Sequence, residues 1–574
     1  MARMPTVDLP PIDDDEDVGP FTNSEEHVEL PPISQLPDKI LSPTDNEQAI
    51  KLPPIFQLPD EILMLIFEIN AHESRGQMSH RISAVCKHWR TVALTCASLW
   101  VYLDYRRRDS IPTLLARSQQ INGLDVYIGS HFIQPEECYN VLSQLTRIQA
   151  LVVQLNVTSI DPVLNAVPLV SAPLLQRLTV EALPGSGPIP TLSGLAHLEA
   201  PKLRYLELKQ CRINWDWRFI RSTSFTHFHI RCKEYNPPPS LNRLLDILQN
   251  SRQLELLVLT NAIPLSQTVG RIVSLPNLQH LTIAGRVMDC YSFLRQLNIP
   301  PNATLQLRCE TIVTIAIFQN QILPLIHAQC QQYYLRSLTL TWSGWQSCKF
   351  TIAGYTKPSP APSDHPRFKV ALTVNDETAD DKRKTDIIGA ICSRIRFVLE
   401  RLEVDCAWQE SPGFWVCMRP WLGEVRELTM RVMPTGLAKA LSEDAALVLE
   451  TESPTPNPDT NASHFLLPKL ETIHILGVDF PPDLDAFLFD LRFAQEVRER
   501  RGSVLNEVKI KQCKFVPADF KRKVWEFVEI VQWDGEGAIA VAEEEEEEED
   551  AYSQMRGSMN EIMLFDSFAQ HARR

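Results

Sequence analysis

The chain has 574 residues, of which 44% are hydrophobic, and a formal net charge of −15. A chain of this length exceeds one compact core, so we expect several domains or an array of repeats. Residues 1–50 carry a net charge of −10 and residues 534–574 carry −9, which leaves +4 on residues 51–533. Because this body has no strong overall field, its composition does not favour nucleic-acid binding.

The cysteines and the hydropathy pattern narrow the class of protein. The 13 cysteines are scattered and form no C-x-x-C pair, which disfavours a disulfide scaffold or a zinc cluster. The N-terminus has no apolar stretch of signal-peptide type, and no apolar run reaches the ~18 residues of a spanning helix. We therefore predict a cytoplasmic or nuclear protein with no membrane partner, metal or cofactor.

Residues 1–51 are polar, acidic and proline-bearing, so we predict a disordered N-terminal region. The motif Leu-Pro-Pro-Ile occurs at 9–12, 30–33 and 52–55. Only the third copy continues into an apolar helix, so we interpret the first two as truncated duplications.

A short helix is predicted after the third copy. Pro59 suits its first turn, and Asp60 and Glu61 are favourable near its positive end. The apolar residues of this helix fall on one stripe at helical spacing: Ile62, Leu65, Ile66 and Ile69.

Residues 70–79 are polar and are predicted to form a loop before a second helix. The apolar residues of that second helix are spaced at i, i+3, i+4 and i+7: Ile82, Val85, Cys86 and Trp89. Leu99, Trp100 and Leu103 follow as a further apolar anchor. Short helices in so small a module bury little core of their own, so this apolar surplus predicts a partner.

One apolar pattern then recurs along the chain, with two residues between its first and second members and one between its second and third. The first copies are Ile121/Leu124/Val126, Ile148/Leu151/Val153, Leu175/Leu178/Val180 and Leu203/Leu206/Leu208, at steps of 27, 27 and 28 residues. Later copies are Leu254/Leu257/Leu259, Leu278/Leu281/Ile283, Leu335/Leu338/Leu340, Leu399/Leu402/Val404, Val425/Leu428/Met430, Leu470/Ile473/Ile475 and Leu505/Val508/Ile510, with a weaker copy at Phe225/Phe228/Ile230. Each copy predicts a short strand followed by a turn and a return, and the period is typical of leucine-rich repeats.

Proline-rich stretches interrupt the series at 351–367 and 451–463, where we predict loops. The unbroken acidic run Glu543–Asp550 lies in a tail, 534–574, that we predict to be disordered.

Residues 57–103 resemble the F-box, a small helical module. The matching motifs are Leu58-Pro59-x-Glu61-Ile62-Leu63, Leu65-Ile66-Phe67, Val85-Cys86-x-x-Trp89-Arg90 and Leu99-Trp100-x-x-Leu103. The stretch Ala71–Met78 departs from the family, which usually has a Leu-rich turn there. The resemblance implies docking on a Skp-family adaptor through Leu58, Pro59, Ile62, Ile66, Phe67, Val85, Cys86, Trp89, Leu99 and Trp100.

The expected architecture is therefore an α/β chain with an F-box at 52–104 and an irregular leucine-rich-repeat solenoid at 105–533. Its layout resembles the large fungal F-box families. The resemblance implies a non-catalytic substrate-recognition subunit of a Skp–cullin–F-box type ubiquitin ligase, whose repeats bind a target protein. Three alternatives remain open: a helical cap on the repeats, a ligase-independent interaction scaffold, and an enzyme with an unrecognised site. No phosphate-loop, dinucleotide, zinc-protease or serine-hydrolase motif supports the last of these.

Target recognition would use residues between the apolar positions of the repeats. The candidates are Glu207, Lys209, Glu255, Thr282, Thr339, Thr341 and Glu403. Several tryptophans are either ligand anchors or packing residues: Trp215, Trp217, Trp342, Trp345, Trp408, Trp415 and Trp421. His227 and His229 alternate on a predicted strand near Cys232, but without a second ligand pair they do not predict a metal site.

Overall fold

A computed structural model describes the chain from Leu58 to Gly535. The residues within this span that it does not describe are 75, 119–120, 130–133, 166–170, 233–237, 265–269, 311–316, 325–326, 328–334, 344–346, 362–363, 376–388, 390–397, 406–411, 451–464, 482–483 and 518. The chain divides into two compact units, Met1–Thr223 with Ala361–Asp364, and Ser224–Pro360 with His365–Arg574. The boundary at Thr223 falls inside the segment that the sequence suggests is one repeat domain.

The first unit begins with short helices that lead into a parallel sheet. Its helices are α1 Asp60–Glu73, α2 Ser79–Ile82, α3 Lys87–Thr95, α4 Ile111–Arg117, α5 Pro135–Leu142, α6 Val157–Asn165 and α7 Arg218–Ser222. Its strands are β1 Tyr102–Asp104, β2 Leu124–Gly129, β3 Ile148–Asn156, β4 Arg177–Leu183 and β5 Tyr205–Lys209.

Two helix boundaries differ from the sequence prediction. Residues 70–73 belong to α1, so the predicted loop begins later than expected. The predicted second helix is two helices, because Cys86 is extended (φ −156°, ψ 172°) and starts α3 as its N-cap. Its Sγ accepts a hydrogen bond from the Trp89 amide at 3.4 Å, and this local cap competes with a continuous helix through Val85 and Cys86.

Strands β1–β5 pair in sequence order, all parallel, and stack their apolar residues in register. One row joins Val126, Leu151, Leu178 and Leu206, each no more than 2% exposed. Such rows are buried between the sheet and the return segments, which are the helices and loops that connect one strand to the next. They form the core of the unit.

The register of β2 corrects one predicted alignment. The 27-residue step would place Leu124 beside Leu151, but Val126 pairs with Leu151 and Ile128 with Val153. The register shifts between Leu124 and Asp125, and this irregularity brings the end of the apolar run into the core.

The second unit is also mixed α/β. Its helices are α8 Leu241–Asn250, α9 Val287–Leu294, α10 Pro412–Leu422, α11 Thr435–Glu450, α12 Asp485–Arg500 and α13 Phe520–Trp525. Its strands are β6 His227–Arg231, β7 Leu256–Thr260, β8 Val273–Ser274, β9 His280–Gly285, β10 Leu297–Asn298, β11 Thr304–Cys309, β12 Ser337–Ser343, β13 Ser347–Tyr355, β14 Phe368–Asn375, β15 Arg401–Asp405, β16 Glu427–Met430, β17 Thr472–Leu476, β18 Glu507–Lys511 and β19 Ile530–Trp533.

The main sheet of this unit has the order β6-β7-β9-β11-β14-β13-β12-β15-β16-β17-β18-β19. Its pairs are parallel except those of β13, which runs antiparallel to both β12 and β14. Residues 351–355 lie in β13, so the loop predicted at 351–367 is wrong at its start. The alternation of Phe350, Ile352 and Gly354 there satisfies a strand, and the prolines begin only after it.

The mixed α/β class, the N-terminal helices and the parallel sheet confirm the coarse prediction from sequence. The predicted disordered region 1–51, residues 536–574 of the predicted disordered tail 534–574, and the predicted loop at 451–463 lie outside the described residues. Within the part of the chain that is described, no helix is long and apolar enough to cross a membrane.

A buried guanidinium stabilises the turn before β17. Arg498 on α12 is 3% exposed, and its Nη1 and Nη2 donate to the carbonyls of Leu466 and Leu467 at 3.1 and 2.9 Å. Leu467 has a left-handed backbone (φ 55°) that this contact supports. Burial lowers the pKa of Arg498 to about 10, so the side chain stays charged at neutral pH while Asp444 acts in the opposite direction.

We expect Arg498→Met to lower the free energy of unfolding by about 3 kcal/mol, because two buried carbonyls lose their donors. Arg492→Met on the exposed side of the same helix should change it by less than about 0.5 kcal/mol. Denaturant unfolding of the full-length chain measures both. Equal effects of the two substitutions would contradict this role of Arg498.

Candidate functional site

Helix α1 has apolar side chains on two faces, and the part of the chain that the structure describes covers only one of them. Leu63, Phe67 and Ala71, spaced at i, i+4 and i+8, are no more than 1% exposed. On the other face Ile62, Leu65 and Ile69 are 44%, 53% and 50% exposed. A helix that is apolar on both faces is ordinarily buried on both, so the second face indicates a missing partner.

The covered face packs on a rigid interior centred on Trp100. The Trp100 ring is fully buried, and its Nε1 donates to the Ala93 carbonyl at 3.0 Å. The Arg117 guanidinium lies 4.4 Å from the ring centroid, a cation–π contact. Ser79 Oγ donates to the Leu99 carbonyl at 2.9 Å and ties α2 to the following turn. These contacts hold the short helices in one arrangement.

Trp89 on α3 links the interior to the surface. Its ring centroid lies 5.0 Å from that of buried Phe67, with the ring planes tilted by 56°. Trp89 is half-buried, and its Nε1 is buried with no hydrogen-bond partner in the described structure. A buried indole donor without a partner costs free energy, so Trp89 is held in place by its ring contacts and not by a hydrogen bond of its side chain.

The predicted docking residues separate into two groups by burial. Phe67, Leu99 and Trp100 lie inside the module, where they support the surface rather than form it. The accessible members are Leu58, Pro59, Ile62, Ile66, Val85, Cys86 and Trp89.

Three exposed apolar residues on these helices were absent from the predicted set. They are Leu65 and Ile69 on α1, and Leu94 on α3, which is 44% exposed. The spacing of Leu65 and Ile69 from Ile62, at i+3 and i+7, was the signal that could have selected them. We call the side chains of Ile62, Leu65, Ile66, Ile69, Val85 and Trp89 the outer face.

The rim of the outer face is polar. His88 Nε2 lies 3.3 Å from Asp60 Oδ1 at the start of α1, an ion pair when the imidazole is protonated. Ser98 Oγ donates to Glu68, a contact that joins α1 to the turn after α3. Burial raises the pKa of the adjacent Cys96 thiol, so this cysteine is a packing group and not a nucleophile.

The candidate target-binding residues in the first unit, Glu207 and Lys209, form an ion pair with each other. Lys209 Nζ lies 3.0 Å from Glu207 Oε1, and Tyr205 Oη donates to Glu207 Oε2 at 2.9 Å. Burial and the Glu207 carboxylate raise the pKa of Tyr205 to about 12, so the phenol stays a donor. This network fixes the shape of the sheet face that would meet a ligand.

In the second unit, Thr282 lies on β9, Thr339 and Thr341 lie on β12, and Glu255 directly precedes β7. Glu403 on β15 is engaged by Arg431, whose Nε lies 2.8 Å from its Oε1. Across the described residues, no group of three or more His, Cys, Asp or Glu side chains could hold a metal ion.

Those candidate tryptophans whose side chains the structure describes are packing residues. Trp215 and Trp217 are 7% and 4% exposed, and Trp217 stacks on Phe219 with ring centroids 5.6 Å apart. Trp415 and Trp421 are buried in α10. Trp345, Trp408 and the side chain of Trp342 lie outside the described residues.

Comparison with known families agrees with this geometry. The F-box-like family model matches residues 55–106, close to the predicted 52–104. The chain carries an F-box-like domain. The match covers the F-box helices and β1 and ends before the other strands. No curated protein matches the chain.

The burial pattern of the F-box predicts opposite effects for neighbouring residues of α1. Phe67→Ala should lower the free energy of unfolding by about 3–5 kcal/mol, because it leaves a cavity beside Trp89. Ile62→Ala should change it by less than about 0.5 kcal/mol, because that side chain already faces solvent. Chemical denaturation followed by tryptophan fluorescence compares the two. A larger loss for Ile62→Ala would invert the assignment of the faces.

Proposed function

We propose that this chain is the substrate-recognition subunit of a Skp–cullin–F-box type ubiquitin ligase. The observation that carries the proposal is the outer face of the F-box, an apolar surface that the described residues of the chain leave exposed. F-box proteins are in general non-catalytic adaptors, and the proposed role needs no covalent chemistry on this chain.

The outer face has the chemistry of a protein-docking site. Burial of an Ile or Leu side chain contributes about 1.5–3 kcal/mol, so a partner that covers Ile62, Leu65 and Ile69 gains a substantial part of its affinity there. The half-buried Trp89 ring adds an aromatic anchor, the kind of residue that dominates interface energetics. The polar pairs Asp60–His88 and Glu68–Ser98 form a rim around this apolar centre. We assign the face to the Skp-family adaptor.

The strands after the F-box would hold the target. We propose that they form an irregular leucine-rich-repeat array, because successive parallel strands stack one apolar row and leave the opposite side chains accessible. The ligase then acts by proximity, since holding a target beside a ubiquitin-loaded enzyme raises its effective concentration. Such complexes work inside cells, in agreement with the cytoplasmic or nuclear location that we propose.

The outer face predicts a specific loss of adaptor binding. The full-length double variant Leu65→Asp with Ile69→Asp should retain at least about tenfold less Skp-family adaptor than the wild-type chain, because two carboxylates would be buried in an apolar contact. Co-purification of the two proteins, quantified against the amount of bait, measures this loss.

The matched control is Val416→Asp with Leu447→Asp, which changes exposed apolar residues on α10 and α11 in the second unit. This control should retain the adaptor, and both variants should unfold near the wild-type midpoint. A wild-type chain that retains no adaptor, or an outer-face variant that retains it fully, would contradict the proposal. Retention of adaptor without a cullin would favour the ligase-independent scaffold instead.

A further inference from the structure

Charge is unevenly distributed along the main sheet of the second unit. The adjacent strands β6, β7, β9, β11 and β14 contain no Asp or Glu. Two described carboxylates directly flank these strands, Glu255 before β7 and Glu310 after β11. Carboxylates on the strands themselves return only at the other end of the sheet, with Glu403 and Asp405 on β15 and Glu427 on β16. A sheet face whose charges serve only solubility ordinarily mixes positive and negative side chains. Strands that carry basic side chains and no acidic ones therefore favour an anionic ligand.

The basic residues of these strands lie on one side. The apolar row Phe228, Leu257, Leu281 and Leu305 is buried against the return segments, and α9 packs on β9 and β11. The alternate positions face outward and carry His227, His229, Arg231, His280, Arg308 and Lys369. We call this outward side of the five strands the cationic face.

Arg308 and Lys369 are the two cations of this face that stand in register with small or neutral side chains. In the described structure, no carboxylate lies within ion-pair distance of either side chain. Arg308 is in register between Ala284 and Ala371, whose small side chains leave room beside the guanidinium. Lys369 is exposed and lies in register with Gln306, a neutral neighbour. A carboxylate reaching this point would meet two cations that the described structure does not neutralise.

The groups around His280 are also predominantly basic. Its Nδ1 lies 2.8 Å from Thr304 Oγ1, and its ring centroid is 6.0 Å from that of His365. Burial lowers the pKa of His280, and the charged groups that lower it further, His365, His227 and Arg367, are all basic. At the other end of the sheet, His474 meets mixed charges, with Glu427 and Glu507 opposing Lys509 and Arg401.

We propose that the cationic face binds an acidic segment of the target protein, with Arg308 and Lys369 as its main carboxylate contacts. This inference rests on the proposed function, since it names the target class for the second unit. Leu256 and Val258 between the basic columns would contact the aliphatic parts of such a segment. A peptide fits better than nucleic acid, because phosphate-backbone binding draws on many Lys and Arg contacts and this face has few.

The test uses the purified full-length chain and a fluorescein-labelled peptide in which every second residue is Glu. Fluorescence anisotropy should show binding that weakens as salt is raised, and no binding of the matched Gln peptide. The double variant Arg308→Gln with Lys369→Gln should lower the affinity for the Glu peptide at least about tenfold. Lys511→Gln with Lys514→Gln, an equal charge change at exposed residues in and just after β18, should leave the affinity unchanged.

Arg308→Lys should keep most of the affinity and so separates a loss of charge from a loss of fold. Equal affinity of the wild-type and Arg308→Gln/Lys369→Gln chains would overturn the inference. Tighter binding of a mixed-sequence RNA oligonucleotide, lost in the same variant, would assign the face to nucleic acid instead.

The chain's own acidic run is the remaining competitor. If the Glu peptide binds only after Glu543–Asp550 is neutralised by amide substitutions, the face belongs to the tail and the target assignment is wrong. Adaptor co-purification is the independent readout. Arg308→Gln/Lys369→Gln should retain the adaptor fully, so failure of this inference is distinguishable from failure of the proposed function.

Discussion

The apolar rows that run through the parallel strands constrain everything else in both units. Side chains alternate along a strand, so each row that the return segments bury forces the intervening residues to the opposite side. In the first unit the row through Val126 and Leu151 places Tyr127 and Val152 outward, and in the second the row through Leu281 and Leu305 places Thr282 and Gln306 outward. Only the outward-facing residues of the strands can therefore contact a ligand. The charges at these outward positions are the ones that indicate what kind of partner could bind.

Helix α1 obeys the same rule with a different period. The interior of the F-box uses Leu63, Phe67 and Ala71. Among the described residues, none covers Ile62, Leu65 and Ile69 to a comparable extent. Tight packing of the covered face also favours binding at the exposed face, because a partner loses less binding free energy to ordering when the surface is already ordered. The contacts of Trp100 with Ala93 and Arg117 supply that order. The two surfaces also differ in kind: the F-box offers apolar area, whereas the cationic face offers charge and would confer specificity more than affinity.

The sequence predicted where the strands lie along the chain better than it predicted which residues pair between neighbouring strands. Apolar triplets identified β3, β4, β5, β7, β9, β12 and β15–β18, since period-2 burial is local. Strands β11, β13, β14 and β19 have weaker or displaced patterns and were missed. The β2 alignment failed because the apolar run from Leu124 to Ile128 allows two registers, and only tertiary packing chooses between them. In the F-box, residue types indicated the module, yet burial separated Phe67, Leu99 and Trp100 from the accessible residues, and no sequence pattern contains that distinction. The break between α2 and α3 depends on a single cap at Cys86.

The most direct test of the account is hydrogen–deuterium exchange of the full-length chain with and without a purified Skp-family adaptor. If the outer face is the docking surface, amide exchange should slow in Asp60–Glu73 and Lys87–Thr95, because a bound partner suppresses local opening of α1 and α3. Strands β6–β19 should be unchanged. Unaltered exchange in α1 and α3 in the presence of saturating adaptor, or protection confined to the strands of the second unit, would contradict the account.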